Sequence, residues 1–345
     1  MRIKSLDLAR GFTVLCIPAV HSILLYSQPS VRGTLPGQLL RFIAEGPGAQ
    51  LFMTYMGISI TLAENLTWRA VLKRSGLFLL TGYGLNLLKF VLPLKLGLLP
   101  AAFQTDLGIT DPCTAGETVF LLGDILHFAA IALLITYGIC RLPRYWIFAL
   151  GTAAFVAIFS PYFWDHASCS PVANYIVTLI GGQPPAVFFP LFPWLVYPLA
   201  GLVIGYLLDR NPPDRFLFIG LTGVGLIVLG EVVAYFQAPT LSFYRTRFGD
   251  TAVHLGIVLV WLWVWEGVAT YVKPNAGFRL LTFASRHITL IYLIQWPIIC
   301  WLVPLFGYQH LGGWLSFDVA FGMTLLSLLL TLLILACRQG KEPKE

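Results

Sequence analysis

Charge is scarce in this chain. Asp, Glu, Lys and Arg make up 11% of its 345 residues while 57% are hydrophobic. An ordinary soluble domain carries roughly a quarter charged residues, so a soluble globular protein is excluded. Short segments of alternating apolar and polar residues are also lacking, which excludes a transmembrane β-barrel. The first apolar run ends without an A-x-A-like exit and further runs follow it, so no cleavable signal peptide is read. HExxH and other recognisable ligand spacings are missing, and no metal site is expected. No soluble domain, low-complexity tract or internal repeat is evident; only the tail QGKEPKE reads as disordered.

What fills the chain instead is a succession of apolar runs, many near the roughly 20 helical residues that cross a bilayer core. The expected spans are 8–27, 42–62, 70–93, 119–139, 145–160, 186–208, 215–236, 250–271, 287–305 and 314–337. The fold expected is all-α, a polytopic membrane protein of about ten transmembrane helices. It forms one domain over 1–338, followed by a short tail at 339–345. Span 145–160 is short and is expected to stop at Pro161. The patch 172–181 is too short to cross, and Pro190, Pro193 and Pro198 predict a kinked or irregular start to the sixth span.

Lys and Arg concentrate in alternate connecting segments: Arg69, Lys73 and Arg74; Arg141 and Arg144; Arg210 and Arg215; Lys273, Arg279 and Arg286. Fewer fall on the other side, among them Arg41, Lys89, Lys95, Arg245 and Arg247. Cytoplasmic loops carry such an excess, which puts both termini in the cytoplasm. The net charge of +6 then reflects topology and membrane lipids, and no nucleic-acid partner is inferred from it. Cys113 and Cys169 both fall in outer loops, where an oxidising compartment would let them pair.

Ionisable groups within a bilayer cost a few kcal/mol each, so each asks for a partner or a purpose. On this topology three histidines and four carboxylates fall in the outer half: His21, His127, His254, Glu45, Asp124, Asp250 and Glu231. Asp124 with His127 (i, i+3) and Asp250 with His254 (i, i+4) share helix faces. A carboxylate beside an imidazole fixes its tautomer and suits a general base; the plainer reading is a buried pair that holds helices together. Near the inner face, Arg69, Lys73 and Arg74 could meet phosphate groups or lipid head groups. Arg10 sits in the first apolar run with Asp7 at i−3, either as a structural ion pair or as a pinned guanidinium facing a cytosolic ligand.

These residues carry a resemblance. RIKSLDLARGF (2–12) with His21 ten residues after Gly11 resembles the first-helix signature of the transmembrane acyltransferase superfamily. That group includes the acyltransferase-3 and the heparan-α-glucosaminide N-acetyltransferase-like proteins, and the latter branch is the more similar. AQLFMTYMGISITLA (49–63), WRAVLKRSGLFLLTGYGLNLL (68–88), GDILHFAAIALL (123–134), PLFPWLVYPLAGLVIG (190–205) and SRHITLIYLIQWPI (285–298) resemble later helices in order. The resemblance implies a ten- or eleven-helix enzyme. Such an enzyme takes an acyl group, usually acetyl, from cytosolic acyl-CoA and passes it to a hydroxyl or amine, often on a sugar, on the extracytoplasmic side. His21 matches the essential histidine of acyltransferase-3 proteins, and Arg69, Lys73 and Arg74 match the basic region associated with the CoA phosphates. Two departures stand out. The loop after the first helix carries no histidine, where lysosomal-type relatives place their catalytic one, and Gln295 stands where many relatives have His.

The expected activity is therefore acetyl-CoA-dependent O- or N-acetyl transfer to a small-molecule or glycan acceptor. His21 is the expected base, supported by Glu45, Asp124 or Asp250. His127 and His254 are the other candidate bases, and Arg10, Arg69, Lys73 and Arg74 the candidate CoA contacts. A bacterial inner membrane is the expected location, and a homo-oligomer is possible. The competing class is a proton-coupled transporter, in which the outer acids and histidines and a broken sixth helix would form a relay and a substrate site.

Overall fold

The computed structural model describes residues 3–99, 101–240 and 242–302, with Leu328, Thr331 and Leu332. Those three positions apart, the expected span 314–337 and the tail 339–345 lie outside the described residues. Among the described residues the chain is helical, and its only strand-like pairings are isolated bridges. In chain order the helices are α1 (Lys4–Tyr26), α2 (Leu35–Ile43), α3 (Ala49–Thr61), α4 (Trp68–Asn86), α5 (Leu92–Lys95), α6 (Ala101–Asp106), α7 (Ala115–Phe120), α8 (Ile125–Cys140), α9 (Tyr145–Phe159), α10 (Pro171–Gly181), α11 (Leu191–Trp194), α12 (Val196–Arg210), α13 (Arg215–Phe236), α14 (Phe248–Tyr271), α15 (Ala276–Arg286) and α16 (Ile288–Pro297). Among the described residues six helical stretches are long and apolar enough to cross a membrane: Lys4–Ile23, Trp68–Lys95, Tyr145–Phe163, Leu191–Arg210, Arg215–Phe236 and Phe248–Tyr271. Shorter apolar helices accompany them at Ile125–Cys140, Pro171–Gly181 and Ile288–Cys300. The protein is an all-helical, multi-pass membrane protein.

Three expected spans are reshaped, each for a local reason. The second joins α2 to α3 through a π turn at Ala44–Gly48, where Gly46, Pro47 and Gly48 interrupt the regular ladder. The fourth is broken. α7 stops at Phe120, the chain runs extended through Gly123, which bridges to Val187, and α8 starts only at Ile125 with Asp124 as its N-cap. The sixth begins late: Pro190 is extended, Phe192 keeps non-helical dihedrals inside the short α11, and regular helix starts only at Val196. α10 has the length of a helix that does not cross. Irregular backbone at membrane depth is tolerated where protein or a cavity satisfies it; here Asn86 Nδ2 donates to the carbonyls of Phe120 (3.0 Å) and Leu122 (2.7 Å) across the break.

Packing centres on α12, which lies against α3 and α9, and on the pairs α13–α14, α1–α15 and α4–α8. The α3–α12 contact depends on Gly57 and Gly201: a Cβ on Gly57 would lie 2.0 Å from the Pro198 carbonyl oxygen, and one on Gly201 would lie 2.0 Å from that of Thr54. Small residues give membrane helices the close approach on which their association depends. Trp194 and Tyr197 fill the core beside this seam, both almost wholly buried. Exposed Leu80, Phe218, Leu221 and Tyr235 mark faces suited to lipid.

Candidate functional site

A cavity of about 1130 Å³ runs between α1, α3, α4, α8 and α16. At the end where α1 begins, its wall includes Arg10, Ser59, Arg74, Ser285, Arg286 and His287; at the far end it includes His21, Arg41, Glu45, Lys89, Asp124, Tyr244, Tyr292 and Trp296. Eleven residues of α1 separate Arg10 from His21, or about 16 Å of helix rise. The cavity thus covers roughly half of a 30 Å hydrocarbon core along α1.

The first end is cationic and held by a local network. Arg10 Nε donates to Ser285 Oγ (3.0 Å) and its Nη2 to Asp7 Oδ1 (3.3 Å), while Ser285 Oγ donates to the same carboxylate oxygen (2.9 Å). The guanidinium lies 3.7 Å from the centre of the Tyr55 ring, a stacked arrangement that Arg favours. The two readings left open for Arg10 therefore combine: it is paired with Asp7 and it faces the cavity. A smaller space of about 320 Å³, lined by Asp7, Arg10, Tyr55 and Arg286, adjoins this mouth. Of the three basic residues that open α4, Arg74 lines the cavity, while Arg69 and Lys73 are exposed and do not.

The far end is a chamber with internally paired charges. His21 stacks on Trp296, ring centres 4.4 Å apart and planes 27° from parallel. Its Nδ1 is buried with no hydrogen-bond partner among the described residues. The cavity wall around it also carries the Asp124 carboxylate and the Lys89 ammonium. Lys89 Nζ donates to Asp124 Oδ2 (2.9 Å) and sits 4.4 Å from the Trp296 ring. Tyr292 Oη donates to the same oxygen (3.1 Å), and the Ile125 N–H donates to Asp124 Oδ1 (2.7 Å). Glu45 is paired with Arg41 at the cavity wall (2.9 Å). Tyr244, in the loop between α13 and α14, has its phenol pushed up to about 12 by burial, with Asp124 and Glu45 adding to the shift. It stays a neutral donor.

The other candidates stand apart from this chamber. His127 is fully buried in a capping box: its Nδ1 accepts the Asp124 N–H (3.1 Å), and the ring packs edge-on against Tyr83 and beneath Gly82. Asp250 accepts a hydrogen bond from Thr240, and His254 packs against Phe243; neither lines the cavity. Glu231 is on an exposed face of α13. Cys113 and Cys169 are exposed free thiols, so the disulfide considered for them is not formed. Two cations counted as loop charges are buried instead. Lys89 is in the chamber, and Arg245 braces the far-end loops through Asp165 (2.8 Å), Gln183 (3.1 Å) and the carbonyls of Gly181 and Gly182. Lys89 had a sequence signal, since it falls inside the expected span 70–93 at membrane depth. Tyr292 and Trp296 had a weaker one, an i, i+4 spacing.

Residues 2–245 match the family described as heparan-alpha-glucosaminide N-acetyltransferase, catalytic. The chain belongs to that family. It is an acyltransferase-family protein of the membrane, and the family's description is that of an N-acetyltransferase acting on a glycan. No curated protein and no solved structure matches the chain. The match takes in α1 to α13, with His21, Lys89 and Asp124; the helix that carries Tyr292, Gln295 and Trp296 falls beyond it.

Proposed function

We propose that the protein transfers an acetyl group from acetyl-CoA to an amine or hydroxyl of a sugar or glycan, with His21 as general base. The observation that carries this reading is the cavity joining a guanidinium-lined mouth to a half-buried imidazole. Arg10, Arg74 and Arg286 suit the phosphates of CoA, since guanidinium binds phosphate through paired, charge-assisted hydrogen bonds. The length of the cavity suits the extended pantetheine arm, which would bring the thioester up to His21. On the positive-inside topology the arginine mouth faces the cytosol and His21 the opposite side. In a bacterial inner membrane this would place the donor in the cytoplasm and the acceptor in the periplasm.

The chemistry asked of His21 is limited. As the acceptor nitrogen or oxygen adds to the thioester carbon, His21 takes its proton, and the carbonyl electron pair moves onto oxygen. Collapse breaks the carbon–sulfur bond, and the imidazolium returns its proton to the departing thiolate, giving CoA thiol and acylated acceptor. Base catalysis of this kind contributes about 10²–10⁴-fold. Trp296 fixes the ring plane, and Asp124 offers a negative charge to the imidazolium that forms.

The test is transfer of label from radiolabelled acetyl-CoA, outside proteoliposomes at the arginine mouth, to amino sugars and glycans enclosed within. Label in the acceptor with wild type but not with His21→Ala, at equal thermal stability, is the expected result. Absence of transfer together with absence of stabilisation by CoA would overturn the reading.

A further inference from the structure

The mechanism above leaves a buried charge on the cavity wall unused. Lys89 is 3% exposed, in a stretch flanked by Leu87, Leu88, Phe90 and Val91. Its counter-charge, Asp124, comes from the break between α7 and α8. A buried ion pair is a poor stabiliser, and well-packed apolar residues of the same volume often do as well or better. At membrane depth the cost is greater. The pair also stands on the cavity wall, and its ammonium shares the Trp296 indole with His21.

The transfer itself creates two charges at once, a negative one on the thioester oxygen and a positive one on His21. Fixed charges and dipoles of opposite sign, aimed at where such charges develop in a dry site, are the most effective electrostatic catalysts. Asp124 already receives three donors, from Lys89, Tyr292 and the Ile125 N–H. It is held as a carboxylate and is not the base. Its charge favours imidazolium, and the ammonium supplies the opposite pole.

We propose that Lys89 stabilises the oxyanion of the transfer: its ammonium, held by Asp124 against Trp296, lies where the thioester carbonyl oxygen gathers charge as the acceptor adds beside His21. The atoms balance as in the step already given, because Lys89 keeps its proton throughout. It faces the C–O⁻ group while the carbon–nitrogen or carbon–oxygen bond forms, and releases it as the carbon–sulfur bond breaks. This rests on the acyltransferase reading.

The experiment measures kcat and KM for acetyl-CoA, with release of CoA thiol, for reconstituted wild type, Lys89→Arg, Lys89→Gln and the double variant Lys89→Gln with Asp124→Asn. The double variant keeps a neutral hydrogen-bonded pair of similar shape, so it tests charge without stranding a carboxylate. The expected result is a kcat about 10²–10³-fold lower for Lys89→Gln and for the double variant. KM should stay within about threefold, and Lys89→Arg should recover at least about tenfold over Lys89→Gln. A double variant with near wild-type kcat would show that the pair only holds α4 to α8 and would overturn the proposal. Wild type that releases no CoA with any acceptor would overturn the acyltransferase reading, and the role of Lys89 with it.

Discussion

At one end of the cavity the positive charge comes from arginines near the surface, Arg74 among them exposed; at the other it comes from one lysine sealed in the bundle with its own carboxylate. The first arrangement suits a ligand that arrives charged and must leave again. Surface guanidiniums gain modest energy in water and lose little when the ligand departs. The second suits charge that exists only for the lifetime of a transition state, for which the environment must be built beforehand. On the proposed reaction binding belongs to one end and chemistry to the other, and variants at the two ends should separate KM from kcat.

The largest break in that comparison is His21→Ala. Transfer should fall by about 10²–10⁴-fold with acetyl-CoA binding, measured by CoA-induced thermal stabilisation, unchanged. Second comes Asp124→Leu, which strands the Lys89 ammonium and removes the α8 cap; breaking a buried pair costs about 3–5 kcal/mol, read as a lowered unfolding temperature in detergent. Third, Arg74→Ala and Arg286→Ala should each raise KM for acetyl-CoA about tenfold while kcat holds, since a hydrogen bond to a charged group contributes about 1.5–3 kcal/mol. Arg69→Ala and Lys73→Ala, off the cavity, should move KM less than about twofold in the same assay. The smallest effect expected is that of His254→Ala, with transfer within about twofold of wild type, because that ring does not reach the chamber.

Much of the architecture was legible because membrane solvent imposes a simple rule, apolar runs of spanning length. Six of the expected spans recur among the described residues as helices long enough to cross. What the runs did not reveal were the interruptions. A break such as 121–124 costs little apolar character, so hydropathy passes over it, although it is what turns Asp124 from a helix residue into a cap and a chamber wall. The histidines were harder still. Spacing along one helix puts Asp124 and His127 on a common face, and they do meet, but through a backbone N–H that fixes His127 as part of the cap. His21 has no partner at i±3 or i±4. Its neighbours come from the N-cap of α8, from α16 and from Lys89 beyond the end of α4, and contacts between distant helices leave no periodicity to read.

The glycine seam between α3 and α12 has a kinetic meaning. There, and where Gly11 meets the Leu281 carbonyl at a distance that would leave a Cβ 1.9 Å away, backbone rests on backbone. Sliding one helix along the other would need both to part first, which packed interfaces resist. Helices α1 and α3 form two of the cavity's walls, and each is pinned to the helix behind it, α15 and α12 respectively. A carrier must exchange one opening for the other to move its cargo, and two walls that are each locked backbone to backbone oppose that exchange.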